Sequence, residues 1–287
     1  MASLKEIRRR ISGVQKTRQM TRAMKMVAAT KLRRYQDALL KMRPYAEHLE
    51  FMIDALLHNE QMPPNPLLEE TRAESLTLMV MGGDRGLCGN FNSNIIKRSD
   101  RLIRSHPFPM QIIAFGKKVI DHYQRKNMPI DEEYVDLDDL DLLETSRSIA
   151  DRVIENYITG TCGRFVIVYS LFHNVMTQEV LADQILPLVF QPGFTGKDPG
   201  SLEFLFYPDA ETVLDELVPR YITWQIHRIM LESMASLYGA RMTAMDLATR
   251  NAGDMIGELT QEYNRERQSA ITTELIEIMS GADALRR

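Results

Sequence analysis

The sequence predicts an α/β protein with two long helices. An antiparallel coiled coil is formed by the N- and C-terminal segments, with a Rossmann-like α/β domain inserted between them. Three observations carry this reading. Apolar residues recur at spacings of three or four from Leu4 to Leu56. A second helical pattern follows Asp209, with alanines at 240, 244, 248 and 252 and no proline after Pro219. Between these stretches the period changes, and short apolar runs alternate with helical ones.

The first helix is read over residues 1–58. Its stripe is Leu4, Ile7, Ile11, Val14, Thr17, Thr21, Met24, Ala28, Leu32, Tyr35, Leu39, Met42, Ala46, Leu49, Ile53 and Leu56, a seam for one partner helix. Pro44 lies inside the pattern and is expected to kink it or remove a hydrogen bond. The stretch NEQMPPNP at 59–66 ends it. The α/β domain spans 75–207, with strands at 75–81, 110–115, 164–170, 179–189 and 202–207 and helices at 91–105, 117–126 and 145–158. Asp209 caps the second long helix, 209–287. The alanine row lets a neighbouring helix approach closely. If both helices meet the α/β domain at one level, facing residue numbers sum to about 266 and the paired length is about 85 Å. Met24 then faces Met242, and roughly 22 C-terminal residues project alone for about 33 Å.

Charge is unevenly distributed over a chain of net charge −4. Residues 1–50 carry 13 Lys or Arg against four acids, and residues 131–155 carry ten acids against Arg147 and Arg152. A basic helix can face an acidic partner or a nucleic acid. An overall acidic chain without a nucleic-acid motif disfavours the second. The Arg-rich start resembles a transit peptide, but its helical pattern runs past residue 50, too far for a removable leader. No run of 18 apolar residues is present, so no membrane insertion is expected. Cys88 and Cys162 stand alone, which disfavours a zinc site or a disulfide framework and fits a reducing compartment.

The strongest candidate for chemistry is MVMGGDRGLCGNFN, residues 79–92, where a strand runs through glycines into a helix as phosphate cradles do. Gly82, Gly83, Gly86 and Gly89 match neither G-x-G-x-x-G nor the P-loop, and no Lys-Ser or Lys-Thr follows. A structural turn is the better reading, and no cofactor or metal is expected. Cys88 has no histidine near it in sequence. Asp138, Asp139 and Asp141 lack the glycine and closing glutamate of a calcium loop and are read as a solvated surface.

The segment ITTELIEIMSGADA, residues 271–284, follows the pattern [IV]-T-x-E-x-x-[DE]-x-x-x-G-A-x-[SAKR] at Ile271, Thr272, Glu274, Glu277, Gly281, Ala282 and Ala284. With RISGVQKTRQMTRAMKMVAATKLRR near the start and GDRGLCGNFN after the first strand, the chain resembles the gamma subunits of F-type ATP synthases over essentially its whole length. The resemblance implies a central rotor shaft without catalytic residues. Its helices turn inside a ring of alpha and beta subunits, and its α/β foot binds the epsilon subunit and the membrane c-ring. It implies contact with a beta subunit at Met24, Lys25, Arg241, Gln268 and Thr272, and contact with epsilon and the c-ring near Tyr207. Lys25 is a departure, since some relatives place an acid there. The missing redox-sensing cysteine insertion and the helical start imply a bacterial type at the cytoplasmic face of the plasma membrane. The alternative is a coiled-coil scaffold or nucleic-acid-associated protein with an α/β module.

Overall fold

The computed structural model describes residues 4–57, 65–71, 73–138, 141–189, 207 and 209–285. Ten elements follow in order: α1 (Leu4–Leu57), β1 (Leu76–Met81), α2 (Phe91–Ser105), β2 (Met110–Phe115), α3 (Lys117–Arg125), β3 (Glu132–Tyr134), α4 (Leu142–Ile158), β4 (Arg164–Phe172), β5 (Gln178–Leu186) and α5 (Ala210–Leu285). They form two compact units, one of residues 1–27 with 242–287 and one of residues 28–241.

The larger unit is built on a five-stranded sheet of order β3-β2-β1-β4-β5. β1 runs parallel to β2 and β4, β2 parallel to β3, and β5 antiparallel to β4. The central strand LTLMVM is buried at every position, as expected of a parallel strand covered on both faces. The edge strand β3, Glu-Glu-Tyr, escapes sequence reading because three residues with two acids show no apolar period; a short charged strand is how sheets blunt an edge. The predicted strand at 202–207 lies outside the described residues apart from Tyr207, which is 93% exposed.

α4 begins three residues before its predicted start because Asp141 caps it, accepting from the amides of Leu143 (3.0 Å) and Glu144 (3.2 Å). Asp209 caps α5 as predicted, accepting from the Thr212 amide (2.8 Å) and hydroxyl (3.1 Å). Pro44 does not end α1, which continues to Leu57. The predicted α1 stripe is buried or half-buried throughout except at Thr17. In the larger unit it buries Leu32, Tyr35, Leu49, Ile53 and Leu56, each apolar side chain of this size stabilising by about 1.5–3 kcal/mol.

Gly116 shows how tightly the end of the sheet is built. Its φ is +85°, and a Cβ there would stand 2.7–2.8 Å from the backbone of Gly82 and Gly83. Its amide donates to the Tyr134 carbonyl (2.8 Å), and its carbonyl accepts the Val119 (3.0 Å) and Ile120 (3.2 Å) amides of α3. Gly116→Ala combines a left-handed φ with a backbone clash. It is expected to lower stability by more than the roughly 1–3 kcal/mol of the strain alone, read as a lower midpoint in thermal unfolding of the isolated chain.

Candidate functional site

The glycine turn after β1 occupies the place where doubly wound sheets bind ligands: the carboxyl ends of the strands, where the strand order reverses between β1 and β4. In this chain a helix fills that crevice. Leu237 of α5 packs at 3.0 Å from where a Gly83 Cβ would be, and Phe172 of β4 stands 2.9 Å from a Cβ on Gly239. Ser233 donates to the Met81 carbonyl (3.4 Å), and the hydroxyls of Ser170 and Ser236 share a hydrogen bond of 2.6 Å. The Gly83 amide, which a phosphate would need, donates instead to Asn92 Oδ1 (2.9 Å). The glycines thus admit a helix, and the structural reading of the turn agrees with the geometry.

Asp84, in the same turn, connects three strand ends. Its Oδ1 accepts from the Lys117 amide (3.1 Å) at the start of α3, and its Oδ2 from the Leu137 amide (2.9 Å) beyond β3. Cys88 is buried, which pushes its thiol above the usual range despite the charge of Arg241. That is the opposite of an activated nucleophile. Asp138 pairs with Lys31, Asp141 is spent on its cap, and Asp139 lies outside the described residues. Among the described residues no group of His, Cys, Asp or Glu could hold a metal ion.

In the smaller unit, α1 and α5 are joined by specific polar contacts. Lys25 Nζ lies 2.5 Å from Asp246 Oδ1, the Thr249 hydroxyl donates to Thr21 Oγ1 (2.8 Å), and Arg8 Nη2 donates to the Tyr263 hydroxyl (2.9 Å). Facing numbers therefore add to 270–271, and the expected register of about 266 is short by roughly one turn. The expected value follows from Leu57 lying level with Asp209; within the larger unit Asn65, past the end of α1, donates to Asp215 of α5 (2.9 Å).

The predicted beta-contact residues divide between the two units. Met24 and Lys25, both half-buried, belong to the smaller unit, where Lys25 is engaged by Asp246 rather than free. Arg241 belongs to the larger unit, with its guanidinium 5.0 Å over the Tyr238 ring. Gln268 and Thr272 are exposed, and Thr272 Oγ1 returns a hydrogen bond to the Gln268 carbonyl (2.9 Å). Every residue from 267 to 280 is exposed, including Ile271, Leu275, Ile276, Ile278 and Met279 at 49–68%. That is an apolar end with no cover from the described residues. The basic stretch of α1 shows Met20 and Met26 exposed at 64% and 66%. Arg22 is exposed and makes no ion pair among the described residues.

The hydrogen bond from Lys25 and the charges of Arg250 and Lys25 hold the Asp246 carboxyl below its usual 3.8. A carboxyl lowered on folding stabilises above its unfolded pKa and loses that contribution as pH falls through the folded value. The difference in melting midpoint between the parent chain and Asp246→Asn is therefore expected to be constant above about pH 5 and to shrink as pH falls from 3.8 through the lower folded value.

Comparison with known proteins places this arrangement. Residues 3–285 match the family described as ATP synthase. The ATP synthase gamma chain of Geobacter metallireducens is 40% identical over 100% of both chains, and that of Desulforamulus reducens is 41% identical over 99% of this chain and 100% of its own. A chain from the rotor of the Euglena gracilis mitochondrial ATP synthase shares the fold with a TM-score of 0.63 at 19% identity, covering 93% of this chain and 98% of that one. A chain from the central stalk and c-ring of the Tetrahymena thermophila enzyme gives 0.57 at 22% identity, covering 80% and 99%. Nothing in these likenesses favours a scaffold or a nucleic-acid-associated protein. The chain belongs to the gamma-chain family of F-type ATP synthases, the central rotor stalk of that enzyme.

Proposed function

We propose that this chain works mechanically, with residues 1–58 and 209–287 as the shaft and 75–207 as the foot. Rotation of a c-ring turns the foot. The shaft then presents a different side to each catalytic beta subunit in turn, and differential contact biases the conformations of those subunits. Chemistry belongs to the beta subunits, and this chain contributes no catalytic residue. The observation that carries the reading is the bare end of α5. A helix that leaves five large apolar side chains exposed over residues 271–279 is suited to a sleeve supplied by other chains. The crevice filled by α5 supports the same reading, because it removes the usual ligand site of the fold.

Met24, Lys25, Arg241, Gln268 and Thr272 are assigned to contact with a beta subunit, and Tyr207 to contact with the epsilon subunit and c-ring. Methionines and a basic side chain on one stretch of α1 suit a surface that meets three partners in succession, since methionine repacks easily. No helix among the described residues is long and apolar enough to cross a membrane, which agrees with a peripheral subunit. The proposed location is the cytoplasmic face of a bacterial plasma membrane.

Reconstitution with alpha and beta subunits tests this directly. The chain is expected to raise steady-state ATPase activity over that of the alpha–beta mixture. Arg241→Ala and Gln268→Leu are expected to assemble but to lower ATPase activity by about 2–5-fold, equivalent to ~0.4–1 kcal/mol. Wild-type turnover at every load would remove these positions from the mechanism. In the complete enzyme, Tyr207→Cys is expected to crosslink to epsilon or the c-ring. Crosslinks confined to alpha or beta would reverse the polarity of the shaft.

A further inference from the structure

Within the larger unit, one group of side chains ties both long helices to the α/β body at a single point. Asp138 lies in the loop between β3 and α4. Its Oδ1 accepts the hydroxyl of Tyr238 on α5, and its Oδ2 lies 2.6 Å from Lys31 Nζ on α1. The Tyr238 ring is sandwiched. Tyr35 of α1 stacks on it at 5.7 Å between centroids and an interplanar angle of 14°. Lys31 and Arg241 place their cations 5.4 and 5.0 Å from its centroid. Tyr238 and Tyr35 are buried at 2% and 5% exposure, so the rings are packed in place, while the Lys31 and Asp138 side chains beside them are half-buried.

The loop that carries Asp138 is itself held from the glycine turn. Asp84 Oδ2 accepts the Leu137 amide at 2.9 Å, one residue before Asp138. The path runs from the carboxyl end of β1 through Asp84 and Leu137 to Asp138, and from there to both helices. A second anchor on α5 lies farther along the sheet. There Ser233 donates to the Met81 carbonyl of β1 at 3.4 Å, and Ser236 meets Ser170 of β4 at 2.6 Å. That anchor holds α5 alone. Of the two, only the Asp138 joint grips α1 and α5 together.

We propose that Asp138 is the positioning residue of a torsional clamp: with Tyr238 and Lys31 it locks the rotation of the α1–α5 pair to the foot and so sets the stiffness with which torque passes between them. The inference rests on the rotor reading above. Torque is transmitted only where twisting one body twists the other. A helix pair held on one helix can roll about that helix, whereas a pair gripped across both cannot. A carboxylate between a hydroxyl on one helix and an ammonium on the other resists such rolling, because the roll lengthens one of the two charge-assisted bonds.

The experiment uses the assembled complex of this chain with alpha and beta subunits, fixed by the head and stalled with a non-hydrolysable nucleotide. A bead is attached at Met176→Cys in the exposed β4–β5 turn; Cys88 and Cys162 are buried. The readout is the angular variance of the bead, which is inversely proportional to torsional stiffness. If the two anchors on α5 act as parallel springs of similar strength, loss of the clamp raises the variance roughly twofold. That rise is expected for Asp138→Asn, and also for Tyr238→Phe and Lys31→Met, which remove the partners from opposite sides. The double variant Lys31→Met/Asp138→Asn should raise the variance by less than the sum of the two single effects. Asp138→Glu should recover part of the stiffness. Unchanged variance in the variants that assemble overturns the clamp, including the case in which their melting midpoint falls, since that outcome marks a purely structural role. Failure of the parent complex to rotate under ATP would instead overturn the rotor reading, so the two failures are told apart.

Discussion

The placement of α5 across the carboxyl ends of β1 and β4 is the contact on which the larger unit depends. A parallel sheet leaves a crevice at its topological switch point, and that crevice must be covered or left for a ligand. Here Leu237 enters against Gly83, Gly239 receives Phe172, and two serines satisfy their hydroxyls at the same surface. The glycine-rich turn, the positive φ of Gly116 and the bridging carboxylate of Asp84 follow from bringing strand ends, α3 and α5 within one backbone thickness of each other. Glycine and small side chains make room, and the polar groups exposed by that closeness bond to one another.

Much of this was legible in the sequence, for reasons that can be named. The stripe from Leu4 to Leu56 could be read because a helix repeats its inward face every three or four residues, and only Thr17 falls outside the buried side. The turn at 82–89 could be read as structural because it lacks the lysine and hydroxyl a phosphate site needs. What fills it could not be read, since Leu237 is brought there by the whole intervening fold. The register differs by about one turn because helix ends carry no pairing signal, whereas the partners Lys25 and Asp246, or Thr21 and Thr249, are distant in sequence. Asp138 reads as one more solvated acid in an acidic stretch. Its partners Lys31 and Tyr238 are distant in sequence and carry no local signal.

The two units are held by different chemistry. The larger one has a dense apolar core in which Tyr123, Tyr157, Tyr169 and Tyr238 are fully or almost fully buried and each hydroxyl finds an acceptor. The smaller one is a two-helix contact with few fully buried residues, among them Ile7, Thr21, Met245 and Ala252. Polar links such as Lys25–Asp246 and Thr21–Thr249 set its register at little energetic cost. Exposed ion pairs are worth little, generally under about 1 kcal/mol. Such a pair is specified in its alignment more firmly than it is stabilised.

The position of α5 also has a consequence for synthesis. A chain emerging from the ribosome completes its five strands once β5 has been made, at Leu186, but the helix that closes the crevice does not arrive until Leu237 and Gly239 have left the exit tunnel. Throughout that interval the crevice at the carboxyl ends of β1 and β4 lacks the residues of α5 that fill it. The same holds for α1, whose buried stripe waits for the last third of the polypeptide. A product truncated before residue 237 holds every described strand but lacks the side chains that cover their carboxyl ends.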